Sequence, residues 1–87
     1  MAAFVYILQN EQTGKYYIGS TENLERRMSE HQRGNVYTTK LWPSKRMVLA
    51  QEYQDIKTAE SIEIRLKAFK SRVIINKIVK EGKIRIA

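Results

Sequence analysis

Five side chains of this 87-residue sequence are of types that do chemistry and sit where the local pattern calls for apolar residues. Arg27 and His31 share a helical face with Leu24 and Met28, at the i, i+3, i+4, i+7 spacing of a core-facing stripe. A charge turned inward is costly unless it is paired. Glu63 interrupts a second apolar stripe, made of Ala59, Ile62, Leu66 and Phe69, and a carboxylate there opposes folding unless a cation or metal meets it. Tyr6 and Tyr17 lie on two short apolar runs and become cross-strand partners if the intervening turn is centred between residues 11 and 12, which sets both phenols on one face. Each residue also has an ordinary reading. The tyrosines can pack as an aromatic pair, the Arg27 stem can cover apolar surface, His31 can be a satisfied core-edge histidine, and Glu63 can pair with Lys67 at i+4. The joint placement of Arg27 and His31, one turn apart and facing inward, favours a functional site.

The elements that would position them follow from local pattern. Residues 4–8 are β-branched and aromatic and read as a strand, with Phe4, Tyr6 and Leu8 on one face. The polar stretch 10–15, with Gly14, reads as a hairpin loop, and 16–19 as a second strand. Asn23 is placed to cap a helix over 24–33, stopped by Gly34 and Asn35. On it, Arg26, Glu30 and Arg33 fall on the outer side and can pair with one another. A loop with Tyr37, Trp42 and Pro43 leads to a strand over 47–53. Thr58 is placed to cap a helix over 59–70, and 73–81 reads as a third. The order β-β-α-β-α-α predicts an α+β fold, a small three-stranded antiparallel sheet flanked by helices, as one domain over 1–87.

Lysine and arginine total 16 against 9 acidic residues, a net charge of +7 that points toward a polyanion. From Lys67 onward the basic residues include Lys67, Lys70, Arg72, Lys77 and Lys80, a plausible surface for a phosphate backbone. Tyr37 and Trp42 offer rings on which bases can stack, although Trp42 beside Pro43 reads better as a packing anchor. The absence of cysteine excludes a disulfide framework, a zinc ribbon and a thiol nucleophile. Gln9, Asn10 and Glu11 break the first apolar run before it reaches signal-peptide length, and no stretch approaches a membrane span, so the cytoplasm is the expected location.

Phe4-Val5-Tyr6 and Tyr17-Ile18-Gly19, joined through Thr13-Gly14-Lys15, resemble the two signature elements of the GIY-YIG nuclease family. The run from Ser20 through Arg26-Arg27 to His31 is similar to its first helix, and 59–67, with Glu63, to its metal-binding helix. The likeness covers residues 4–72. It is nearest to the short stand-alone bacterial members and more distant from the N-terminal nuclease domain of the bacterial excision-repair endonuclease. Phe4-Val5 stands in place of Gly-Ile, and Ser20 where some relatives carry a lysine.

The resemblance implies an endonuclease that hydrolyses DNA phosphodiesters with one Mg²⁺ or Mn²⁺, with branched or damaged DNA among its substrates. Tyr6 and Tyr17 become the paired active-site tyrosines, Arg27 the phosphate-facing cation, His31 the proton-handling neighbour and Glu63 the sole protein metal ligand. Asn76 corresponds to a late asparagine of some members. A free phenol has a pKa of about 10, so Tyr6 as base needs a nearby cation or His31 to take its proton. The other arrangement has His31 as base and Tyr6 as the group that orients water. The alternative function is a non-catalytic nucleic-acid-binding module with the same fold.

Overall fold

Asn10 organises the first reversal of the chain. Its side-chain oxygen accepts from the backbone of Gln12 and Thr13, at 2.9 and 3.3 Å, and its carbonyl accepts from Gly14 N–H at 2.7 Å. Gly14 occupies the left-handed region at φ 80°, where a Cβ is unfavourable, so the loop closes on the one residue without one. The computed structural model describes residues 1–85. On either side of this loop lie β1 (Ala3–Asn10) and β2 (Tyr16–Thr21), followed by α1 (Leu24–Gln32) and a 3₁₀ turn (Tyr37–Thr39). Then come β3 (Lys45–Tyr53), α2 (Ile56–Ala68) and α3 (Arg72–Glu81). The strands form an antiparallel sheet in the order β2-β1-β3. This is the predicted α+β fold with the predicted element order.

Because β1 is central, both of its faces are covered. Ala3, Val5 and Ile7 point to one side and meet Ile18 and Leu49 of the sheet, Ala59 and Leu66 of α2, and Ile75 and Ile78 of α3. Burying one such aliphatic side chain contributes about 1.5–3 kcal/mol, and in a domain this small that face supplies most of the stability. The alternate residues Tyr6 and Leu8 point to the other side, where His31 of α1 and Thr39 of the 3₁₀ turn are also buried. The polar residues of interest therefore cluster on the face away from the main apolar core. A bulge between Ile7 and Leu8, with Ile7 opposite Leu49 and Leu8 opposite Met47, leaves Val48 as the extra residue of β3.

Several local expectations need correction. Tyr6 lies opposite Gly19 and Tyr17 opposite Leu8, so the turn is centred between residues 12 and 13, one later than expected, which shifts the register by two and makes the tyrosines diagonal neighbours. A shift of two keeps the period of the strand, so both rings still share a face. The cap of α2 is Asp55, whose side chain accepts from Thr58 N–H at 2.8 Å; Thr58 is the residue capped. Phe69 follows the last residue of α2 and is 42% exposed, outside the core stripe. Glu30 pairs with Arg27 at 3.1 Å, on the inner side of α1, in place of the expected surface pairing with Arg26 or Arg33. Asn23 caps α1 as expected, accepting from Arg26 N–H at 3.0 Å. Among the described residues no helix is long and apolar enough to cross a membrane.

Candidate functional site

Gly19 is where the site begins. A Cβ built there would stand 2.5 Å from the Tyr6 hydroxyl and 2.6 Å from the ring carbon that bears it. The Tyr6 phenol therefore lies across β2 in space that only glycine leaves free. Its hydroxyl reaches His31 Nε2 at 2.9 Å, and the other ring nitrogen, Nδ1, is 2.8 Å from Thr39 Oγ1. Tyr17 completes an aromatic cluster. Its ring centroid is 6.2 Å from that of Tyr6 and 4.9 Å from that of His31, the latter edge-on.

Cations surround this cluster. Lys45 donates to the His31 carbonyl at 2.8 Å. Arg27 is close enough for its charge to act on both Tyr6 and His31. Arg27 Nε is buried and, although 3.1 Å from Glu30 Oε1, has no well-aligned hydrogen bond among the described residues. Burial, followed by the neighbouring Tyr17, pushes the Tyr6 phenol well above its ordinary value, and Arg27 opposes this only in part. Burial also lowers the His31 imidazole to about 4; the charges of Arg27 and then Lys45 add to that effect, and Glu30 opposes it. At neutral pH the pair is thus a neutral phenol hydrogen-bonded to a neutral imidazole. Such a pair can relay a proton to His31 Nε2 as Tyr6 takes one from another donor, since transfer from the phenol alone would leave a phenolate beside an imidazolium.

Glu63 is not part of this cluster. It sits on α2 with its side chain 18% exposed, accepts from Ser20 Oγ at 2.5 Å and pairs with Lys67 Nζ at 2.6 Å. Ser20 pairs with Val5, so it belongs to the face of β2 opposite Tyr17 and Gly19. The edge strand β2 thus separates the proton-handling group from the carboxylate, and a ligand reaching both would have to lie along that edge. The i+4 pairing with Lys67, one of the ordinary readings of Glu63, is present. Among the described residues no three His, Cys, Asp or Glu side chains gather as a metal cage. A lone carboxylate beside a hydroxyl still suits a hard ion such as Mg²⁺, which keeps several of its waters.

The basic residues divide into groups. Lys67, Lys70 and Arg72 line a groove of about 310 Å³ with Lys15, over a floor that includes Ile18, Leu66 and Ile75. Arg72 lies against the hairpin so closely that a Cβ at Gly14 would collide with its guanidinium. Lys77 lines a different hollow with Phe69, Ile74 and Glu81, and Lys80 is exposed near the end of α3. Asn76 accepts from the Tyr16 hydroxyl at 2.6 Å, at the groove side of β2. Tyr37 is 85% exposed under Lys40, whereas Trp42 is half-buried beside Pro43.

Thr39, Ser20 and Lys15 were not among the predicted site residues. A buried neutral histidine calls for partners at both ring nitrogens, but nothing in the spacing from residue 31 singles out Thr39 among the hydroxyls of the loop.

A family model described as the GIY-YIG catalytic domain matches residues 2–77. Comparison with curated proteins gave no match. The chain is similar to the solution NMR structure of a UPF0213 protein from Bacillus halodurans, with 27% identity and a TM-score of 0.60. The similarity covers 94% of this chain and 87% of that one.

Proposed function

The chain belongs to the GIY-YIG catalytic domain family, and from that premise we propose that it is a divalent-metal-dependent endonuclease hydrolysing DNA phosphodiesters. The observation that carries the reading is the 2.9 Å contact between a buried tyrosine and a buried neutral histidine. Packing alone does not call for it, because a phenylalanine at residue 6 would fill the same space without needing a partner.

In this reading Tyr6, closed off from solvent as the structure stands, holds the attacking water after substrate has opened the site over its hydroxyl. As the water oxygen bonds to phosphorus and the bond to the leaving oxygen breaks, the water proton passes to the Tyr6 oxygen and the phenol proton passes to His31 Nε2. Tyr6 cannot serve as a preformed phenolate, because burial holds its proton on. His31 is the acceptor in the pair, but a weak one at rest, partly because Arg27 is beside it. A phosphate bound to Arg27 offsets that charge and makes His31 more basic when substrate is present. Arg27 meets the non-bridging oxygens through its fork of donors, and Tyr17 hydrogen-bonds the water or the phosphate. Glu63 would hold the metal ion through the oxygen now paired with Lys67, with Ser20 fixing the other oxygen. When bound, that ion supplies charge stabilisation to the phosphoryl and leaving oxygens.

The groove of Lys15, Lys67, Lys70 and Arg72 is the proposed track for the DNA backbone, and it adjoins Glu63 through Lys67. Lys77 and Lys80 would contribute at longer range. A cysteine-free protein acting on DNA suits a reducing compartment, with the cytoplasm as the proposed location.

One observation favours a second reading. Both Glu63 oxygens already have partners, Ser20 and Lys67, which is also how a nucleic-acid-binding module without cleavage would keep this residue. Labelled duplex, nicked, branched and single-stranded DNA, with RNA alongside, would be incubated in Mg²⁺, in Mn²⁺ and in chelator. Metal-dependent cleavage of any DNA supports the nuclease; binding without products on every substrate supports the module.

A further inference from the structure

We infer that Thr39 is a positioning residue that fixes the tautomer of His31, holding the proton on Nδ1 so that Nε2 faces Tyr6 as an acceptor. The tautomer is a property of the protein itself; its effect on cleavage rests on the nuclease reading above.

Thr39 is fully buried and is the last residue of the 3₁₀ turn. Its backbone groups are used within the loop: its N–H donates to the Val36 carbonyl at 3.2 Å and its carbonyl accepts from Trp42 N–H at 3.0 Å. The loop thereby fixes the Thr39 backbone, and the hydroxyl lies 2.8 Å from His31 Nδ1. A neutral imidazole carries one N–H, and the two ring nitrogens must differ in role. Tyr6 is fully buried, so its O–H must find an acceptor near at hand. His31 Nε2 at 2.9 Å can be that acceptor only if it carries no proton. The imidazole N–H is then on Nδ1 and donates to Thr39 Oγ1, an oxygen with lone pairs to spare.

In the opposite tautomer Nε2–H would donate to the phenol oxygen across that 2.9 Å contact, and the buried Tyr6 O–H would have to turn from His31 to Tyr17. Double protonation of the ring is opposed by burial and by Arg27 and Lys45, with Glu30 acting the other way. The ring's remaining freedom is the choice of tautomer, and Thr39 Oγ1 favours the Nδ1–H form by giving that proton a buried acceptor while Tyr6 donates to Nε2. In the other tautomer Nε2 could not receive the Tyr6 proton, so the transfer would be blocked although both side chains remained in place.

His31 is the single histidine of the chain, so its ring nitrogens give an unambiguous signal in ¹⁵N-labelled protein. Long-range ¹H–¹⁵N correlation at neutral pH is expected to show a protonated Nδ1 and an unprotonated Nε2. Thr39→Ser keeps the hydroxyl and should leave this pattern unchanged. Thr39→Val removes it and should yield a mixture of tautomers or a protonated Nε2, in a protein whose melting confirms that it is folded. In cleavage assays Thr39→Val should lower kcat about ten- to a hundredfold, leave KM near the parent value, and be rescued in Thr39→Ser. A protonated Nε2 in the parent protein, or a Thr39→Ser spectrum that has lost the Nδ1 proton, overturns the inference. So does a folded Thr39→Val with the parent spectrum. If the spectra behave as expected and no substrate is cut, the nuclease reading fails and the positioning role stands.

Discussion

Gly19 and Tyr6 face each other across the β1–β2 pair, and the phenol of one fills the space where the other would carry a Cβ. The glycine is required by clearance, since it is not among the residues with positive φ. The Tyr6–His31 contact thus depends on an atom that Gly19 lacks.

Gly19→Ala is therefore expected to push the Tyr6 ring off β2 and break its contact with His31. Overpacking of this kind costs about 1–3 kcal/mol. Denaturant unfolding should show that loss, and any DNA cleavage should fall with it. Near-parental stability together with full activity would mean that the ring does not need the space.

Protonation should act on the fold from both ends of the pH scale. His31 is lowered to about 4 from an ordinary 6.5, so below 6.5 the unfolded chain takes up a proton that the folded protein resists. Stability contributed by the neutral ring is fully present above 6.5 and is lost as pH falls toward 4, by on the order of 3 kcal/mol. Tyr6 gives the opposite limb. Its folded-state value is raised above 10.0, so stability falls as pH rises beyond the point where the unfolded phenol ionises. Urea melts across pH would trace both limbs. His31→Gln should flatten the acid limb, and a limb unchanged in that variant would assign it to other groups.

Much of this arrangement is legible in sequence because its parts are local. Strand alternation places Tyr6 and Tyr17 on one face whether they are opposite or diagonal, since the register shifts by two. Arg27 and His31 are placed by helix periodicity alone. The α2 cap is less well specified, because Asp55 and Thr58 both carry a capping oxygen and only tertiary packing decides where the helix starts. Ser20 and Thr39 are different again. Their partners, Glu63 and His31, are 43 and 8 residues away, and each contact depends on where a strand edge or a loop lands. No local pattern encodes that.

Lys67 occupies the Glu63 oxygen that the proposed metal ion would need. Lys67→Ala should therefore lower the Mg²⁺ concentration needed for half-maximal cleavage, even though it removes a groove cation. Glu63→Gln keeps an acceptor for Ser20 but loses the charge, and should abolish metal-dependent cleavage. The pair is half exposed on the lysine side and contributes at most about 1 kcal/mol, so both variants should melt near the parent. Metal titrations and thermal melts check these outcomes together. An increased Mg²⁺ requirement in Lys67→Ala would count against Glu63 as the ligand.

Among the described residues Lys70 is the non-glycine residue with positive φ, at 48°, in the link between α2 and α3. That conformation costs a residue with a Cβ about 1–2 kcal/mol, and glycine adopts it without strain. Replacing Lys70 by Gly should relieve that cost, less the extra backbone entropy that glycine brings to the unfolded chain. A net gain of about 0.5–1 kcal/mol follows. The same side chain lines the basic groove with Lys15, Lys67 and Arg72. If the groove carries the DNA backbone, Lys70→Gly should weaken binding across unrelated sequences and reduce the salt dependence by about one counterion. Lys80 is outside the groove, so Lys80→Ala should change affinity less. Unfolding in denaturant and DNA-binding isotherms at several salt concentrations would test both halves. A variant that is more stable and binds DNA as well as the parent would leave the strain argument intact and move the backbone track elsewhere. One that is less stable would show that the link is held by more than the Lys70 backbone.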